Sequence, residues 1–304
     1  MLRLPKNHEH GKKVDMGEKI GIVTDTISDV PEALVKELGI NIIPTNVILD
    51  GKVYRDGIDL KAEVFYRNFH QYKDMASQPV SYEDYALAYK RLVEEYNGLV
   101  FIHVSHKLSR TFDIARQVHQ DFQNSHNCRV VLIDSLQCGM GYGIAVIAAA
   151  RMAQQGRDEK EIAAHVTHVL RHTSAFFALP ELKYLRRGKK ISGLKSLVGM
   201  AMKVKPVMSV EQGEIVVKTK LFGEQKNMIL SMLDMIRDDI AGRPITLAIF
   251  QTAAEVSVIE SLRSVFQSEF NCDDIFDAFF SPAIGINMGP GCTGIAYYKH
   301  SPQS

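Results

Sequence analysis

The sequence predicts an α/β protein in two parts: an N-terminal parallel α/β sheet domain and a C-terminal α+β domain with a mixed or antiparallel sheet. Three observations predict it. An apolar run at 20–23 stops at the hydroxyl-rich turn Thr24-Asp25-Thr26-Ile27-Ser28-Asp29 and leads into an amphipathic stretch from Pro31 to Leu38, the pattern of a buried strand feeding a helix. The plan recurs twice, at 98–104 (GLVFIHV) ending in Ser105 to Thr111, and at 129–133 (RVVLI) ending in Asp134-Ser135. Past about residue 158 the grammar changes to alternating short runs with hairpin punctuation.

The first 18 residues are polar and patternless and are expected to be a disordered tail. From 19 to 158 the strand-to-helix units follow one another: a helix after Thr111 running to Gln120, then the turn Cys138 to Gly143 and an Ala-rich helix from Ile144 to Gln155. Ser, Thr and Asp at three strand ends predict one polar cleft along the sheet edge, where open parallel sheets bind ligands. Gln154 to Lys160 breaks the apolar period and marks the boundary. In the second part, 159–304, the pattern gives a helix over 161–172 and a strand over 174–179. A helix near 194–202 and a hairpin of 205–210 against 214–217 through Glu211-Gln212-Gly213 follow. Two more strands fall at 245–250 and 294–298.

Composition narrows the function classes. The 304 residues are 46% hydrophobic, enough for large cores and more than one domain. Lys plus Arg number 36 against 35 Asp plus Glu, with no basic stripe interleaved with aromatics, so nucleic acid is not an expected partner. No run reaches membrane-span length and the N-terminal stretch lacks the apolar centre of a secretion signal. A soluble, cytoplasmic protein without an integral membrane segment is the expectation. The four cysteines show no CxxC spacing and read as free thiols.

Taken in order, TDTISDVP, Ser77-Gln78-Pro79, SHKLSRT, IDS with its Gly-rich turn, LKYLRRGKKIS, KVKPVMSVEQGEI and IGINMGPG resemble the landmarks of the DegV family across residues 19–298. That family comprises bacterial fatty-acid-binding proteins, some of which are the acyl-carrying subunit of fatty acid kinase. The resemblance implies an acyl chain buried in the C-terminal domain with its carboxylate at the interdomain cleft. It also implies a partner, a separate ATP-dependent kinase subunit, and no cofactor or catalysis by this chain alone. The absence of a GxxxxGK loop agrees.

Carried over residue by residue, the resemblance points to Ser77, Ser109 and Asn287 as ligand contacts, with Ala76, Ser105, His106 and Arg110 beside them. Ala76 stands where the family has Thr, His106 where it has Ser, Arg110 where it has Gly, and Asn287 where it has a His. Ser109 precedes a helix, so it serves equally as a helix cap or as a contact for an anion at the helix N-terminus. Arg110 or His106 could supply the charge that Asn287 cannot. In the basic run Arg186-Arg187-Gly188-Lys189-Lys190, Arg187 and Lys190 are partner or phosphate candidates by resemblance; a solvated loop is the plain alternative.

Two other functional classes stay open from the residues. One is a small-molecule enzyme using the same cleft, with Asp25, His106 or Asp134 as acid or base; the first and last serve equally as turn and helix-start residues. The other is a regulatory protein that has lost its ligand. Gly139-x-Gly141-x-Gly143 reads as a tight turn, since Ile144 departs from a dinucleotide fingerprint. His165, His168 and His172 read as a partly solvated helix side, and the Met-rich stretch 200–235 as pocket lining or core.

Overall fold

The computed structural model describes residues 18–179, 181, 183–184, 204–222 and 225–300. Residues 1–17 of the expected N-terminal tail, the helix near 194–202, Met200, Met202, Arg187 and Lys190 lie outside them. The first half is built on β1 (Ile20–Asp25), α1 (Glu32–Leu38), β2 (Asn41–Ile43), β3 (Asn46–Leu49), β4 (Lys52–Arg55), α2 (Ala62–Arg67), β5 (Met75–Gln78), α3 (Tyr82–Glu95), β6 (Gly98–His103), α4 (Thr111–Phe122) and β7 (Arg129–Asp134). Two helices, α5 (Met140–Gln154) and α6 (Glu159–Arg171), lead to β8 (Thr173–Ala178), β9 (Val204–Glu211), β10 (Glu214–Phe222), α7 (Gln225–Ile240), β11 (Ile245–Gln251), α8 (Val256–Glu269), β12 (Cys272–Phe279), α9 (Pro282–Met288) and β13 (Thr293–Lys299).

The N-terminal sheet is parallel throughout, in the order β2-β1-β6-β7. Its central strand β6 is buried at every position, as a strand covered on both faces requires. Val23, Leu99 and Phe101 pack outward under α3 and α4, whereas Ile22, Val100 and Ile102 face α5. The C-terminal sheet runs β10-β9-β8-β13-β11-β12, antiparallel except for the β11–β12 pair. Strand alternation splits it in the same way: Phe176, Leu247, Ile249 and Ile295 pack with Met228, Met232 and Phe266 of α7 and α8, while Ala175, Phe177, Ala248 and Ala296 face α5.

Helix α5 is therefore the shared spine. It is buried almost all round, from Met140 to Ile147 without a break, which fits a helix that is apolar on every side. The glycines at its start differ from the expected tight turn: only Gly139 turns the chain (φ 60°), and Gly141 and Gly143 lie inside the helix. A Cβ on Gly143 would collide with the Ser28 carbonyl oxygen, and one on Gly141 would come within 2.9 Å of Gln137 Oε1. Close approach of backbone, rather than reversal of direction, is what these two glycines supply.

A third, three-stranded antiparallel sheet, β4-β3-β5, is absent from the sequence reading, as is the eight-residue strand β12. The small sheet packs Val47, Leu49, Phe65, Tyr66 and Phe69 against Ala283 and Ile286 of α9. It thereby ties residues 46–78 to the C-terminal half. No helix among the described residues is long and apolar enough to cross a membrane.

Candidate functional site

At the carboxyl ends of β1 and β6 the two halves meet over a buried polar hub. Asp25 accepts four hydrogen bonds: from Ile27 N (3.0 Å) and the Tyr142 hydroxyl (2.7 Å) at Oδ1, and from His103 Nδ1 (2.9 Å) and Val104 N (3.1 Å) at Oδ2. His103 Nε2 lies 2.7 Å from the Tyr85 hydroxyl, and all four side chains are fully buried. With every lone-pair direction used, Asp25 fixes the loop between β6 and α4 against α5. Asp134 does the corresponding work one strand over, binding His106 through backbone and ring and accepting from Leu136 N (3.2 Å).

Beside this hub lies a small cavity of about 70 Å³. Ile27, Ser77, Val104, Leu108 and Cys138 line it from the first half, and Ile215, Ala283, Ile284, Asn287 and Met288 from the second. No lining residue carries a formal charge at neutral pH, since burial pushes the Cys138 thiol up to about 12. The wall is apolar except at Ser77 and Asn287, which are both half-buried.

The structure brings two of the sequence-predicted contacts, Ser77 and Asn287, onto this wall and sets the others apart. Ala76 is exposed on the opposite side of β5 from Ser77, as the two-residue period of a strand demands. Ser105 is buried with its hydroxyl donating to the Gly213 carbonyl (2.8 Å) and accepting from Lys107 N (3.2 Å), so it clasps the β9–β10 turn. Ser109 does not occupy the expected cap position; Arg110 is the N-cap of α4. The Ser109 hydroxyl instead lies 3.0 Å from that of Thr111 and 3.4 Å from its backbone N. The side chains of His106 and Arg110 are exposed. From the SHKLSRT motif it is Leu108 that reaches the cavity.

Sequence reasoning missed the wall residues Ile27, Cys138, Ile215 and Met288, and also His103, whose only signal is a polar residue ending an apolar strand. His165 and His168 of α6 and His172 at its C-cap are half-buried, with the last two rings 4.3 Å apart. No cluster of three metal-ligating side chains occurs among the described residues.

Behind the cavity, at the other end of α9, opens a cleft of about 520 Å³ whose floor holds Ser28, Asp29, Asp56 and Ser281. Burial holds the Asp29 carboxyl well above the usual carboxylate range and raises Asp56 to about 7. Asp29 Oδ1 accepts from Ser281 N (2.8 Å) and Asp56 Oδ2 from Ala283 N (3.0 Å). The acids thus hold the first turn of the helix that carries Asn287.

These features define a class: a two-part α/β protein with an uncharged, mostly apolar cavity where a parallel sheet meets a mixed one. The family model described as "Uncharacterised protein, DegV family" matches residues 19–300, and the chain belongs to this family. A DegV domain-containing protein of Caldanaerobacter subterraneus subsp. tengcongensis is 30% identical over 283 residues, spanning 92% of this chain and 99% of that one. The solved fatty acid binding DegV family protein of Thermus thermophilus superposes with a TM-score of 0.84 at 25% identity, over 93% of this chain and all of that one. DegV of Bacillus subtilis, described as a fatty acid binding protein, gives 0.82 at 22% identity over 93% of this chain and all of its own, which shows the fold.

Proposed function

We propose that this protein binds a long-chain fatty acid or a related lipid, with the head group against Ser77 and Asn287 and the tail directed from the junction into the C-terminal half. One observation carries the reading: six separate motifs each send a side chain to the wall of one uncharged cavity. They are TDTISDVP (Ile27), Ser77-Gln78-Pro79 (Ser77), SHKLSRT (Leu108), the Gly-rich turn (Cys138), VEQGEI (Ile215) and IGINMGPG (Ile284, Asn287, Met288). The fatty acid binding described for the Thermus thermophilus relative supports it.

At about 70 Å³ the resting cavity holds only a few waters, so a tail enters by displacing side chains. Met288 and, deeper, Met208 are flexible enough to move without strain, and each buried methylene returns about 0.8 kcal/mol. The Ser77 hydroxyl and Asn287 amide can both donate to a carboxylate. Presentation of the acyl group to a separate ATP-dependent kinase subunit, with Arg187 and Lys190 as candidate contacts for it, belongs to the same proposal.

The uncharged wall favours one second reading, a lipid with a neutral head. Native mass spectrometry of the gently purified protein, followed by displacement of a fluorescent fatty acid with palmitate or hexadecanol, tests both. Binding of palmitate at micromolar concentration or below, weakened about tenfold by Asn287→Asp at pH 8 while hexadecanol is unaffected, supports a carboxylate at Asn287. Preference for hexadecanol supports the neutral head. No acyl mass and no displacement by either compound overturns lipid binding.

A further inference from the structure

The acids in the cleft behind α9 are built differently from the other carboxylates. Asp29 and Asp56 come from separate loops, one after β1 and one after β4, and converge on the first turn of a seven-residue helix. Each uses one oxygen to accept a backbone N–H of that turn, from Ser281 and Ala283 respectively. The second oxygen of each, Asp29 Oδ2 and Asp56 Oδ1, has no partner, and neither has the hydroxyl of Ser28 or Ser281. The Ser281 hydroxyl stands beside both carboxylates without making a well-formed bond to either, and the Thr45 hydroxyl and Gly57 N–H also approach Asp56 while their well-formed bonds go to Thr26 and the Leu60 carbonyl.

A buried carboxylate with an unbonded oxygen is costly as an anion. Neutralisation could come from a cation, but these oxygens expose less than 1 Å² each, which leaves no room for a water or hydrated ion beside them. A proton needs no such room. Nor does a lysine at the cleft mouth reach them: Lys36 and Lys61 are both bound to Glu32 at 2.7 Å. The other ionisable groups facing the pair are Asp25 from β1, Tyr66 from α2, Cys138 just before α5 and Tyr142 within it, with Cys292 behind Tyr66 and Cys138. Asp277 of β12 and Glu63 of α2 lie on the cleft rim. None is a cation, so each added negative charge raises the demand for a proton on the pair.

Helix α9 is about 10 Å long at 1.5 Å per residue, and it is held at both ends. Tyr66 donates to the Phe280 carbonyl (2.8 Å) before it and Thr252 to the Gly289 carbonyl (2.6 Å) after it. Ala283 and Ile284 of the acid-held turn and Asn287 and Met288 of the last turn all line the cavity, so a shift of the acid-held end moves its wall along the whole helix.

We propose that Asp29 and Asp56 form a proton-operated latch on α9: while the pair keeps a proton the helix stays docked and Asn287 is held on the cavity wall, and when both acids ionise α9 loosens and the head-group site is weakened. This regulation of the cavity rests on its reading as the lipid site. Burial of both carboxyls, with Asp56 raised to about 7, places the change near neutral pH.

Two measurements between pH 5.5 and 8.5 test the latch. The first is hydrogen exchange of the 281–291 segment, corrected for the intrinsic pH dependence; the second is palmitate affinity. For wild type, exchange rises at least tenfold and palmitate affinity falls at least tenfold across the range. Asp56→Asn, which cannot ionise, keeps both within threefold of their low-pH values. If that variant does not fold, the wild-type exchange profile alone decides, because flat protection of 281–291 overturns the latch. Palmitate binding with pH-independent exchange sinks the latch and leaves lipid binding standing. pH-dependent exchange without binding of either palmitate or hexadecanol supports the latch and sinks the lipid assignment.

Discussion

Replacing Asp25 separates a structural hub from a catalytic acid. Its two oxygens take four buried donors, the backbone N–H of Ile27 and Val104 and the side chains of Tyr142 and His103. In Asp25→Asn the amide nitrogen must face one of two pairs. Tyr142 can rotate its hydroxyl to accept, and His103 can change tautomer, but the backbone N–H of Ile27 or of Val104 has no alternative. At least one buried donor is left unpaired, at about 1–3 kcal/mol, and the charge-assisted bonds are lost as well. The expected loss is about 2–4 kcal/mol, and Asp25→Ala, which orphans all four donors, should approach the whole stability of an ordinary domain, roughly 5–15 kcal/mol. Urea unfolding followed by circular dichroism reads this as a lower midpoint at unchanged slope. A loss below about 1 kcal/mol for Asp25→Asn would refute the assignment of Asp25 as the organiser of this junction, and would return it to the enzyme reading, in which activity falls while stability does not.

Two further outcomes follow from the same region. Gly289→Ala places a Cβ inside the Tyr184 ring at φ +70°, so it should cost about 3 kcal/mol or more from strain and displacement of a buried aromatic, seen as a lowered melting temperature. The contribution of Asp56 to stability should also fall as pH rises from 4 to 8. A carboxyl raised from 3.8 to about 7 in the folded state binds its proton more tightly folded than unfolded, so its stabilisation is complete below pH 4 and is lost through pH 7. The 3.2-unit difference corresponds to on the order of 4 kcal/mol, and Asp56→Asn should flatten the slope in denaturant midpoints measured across that range.

The sequence exposed what depends on neighbours along the chain. The strand-to-helix junctions at Asp25, Ser105 and Asp134, the β9–β10 hairpin and strands β8, β11 and β13 are visible because period and turn chemistry are local. The small sheet was missed: its strands have four residues each and β4 is mostly exposed, although Asp50-Gly51 between NVIL and KVYR is a local two-residue hairpin signal. The site shows the same division more sharply. In the SHKLSRT motif, the hydroxyls and the imidazole drew attention as chemistry, yet Ser105 binds Gly213, His106 binds Asp134 and Ser109 pairs with Thr111, and the plain apolar Leu108 faces the cavity. A polar side chain at a strand end has many local donors to satisfy before it has any to spare for a ligand.

The residues that set the geometry of the wall act over distances no local pattern encodes. Asp29 meets Ser281 across 252 positions and Asp56 meets Ala283 across 227. Read locally, Asp29 closes a 3-10 turn and Asp56-Gly57 is a turn signal, and both descriptions are correct as far as they go. Only the fold shows that these turns deliver two carboxyls to one helix end, with no cation beside them and with Asn287 at the far end. The position matched by the family's imidazole is neutral here; in the proposed latch, control of charge at the head group falls to what positions Asn287 rather than to Asn287 itself. An ionisable group moved from the cavity wall to the support of that wall still couples binding to pH, because the coupling requires only that the proton and the ligand favour the same placement of α9.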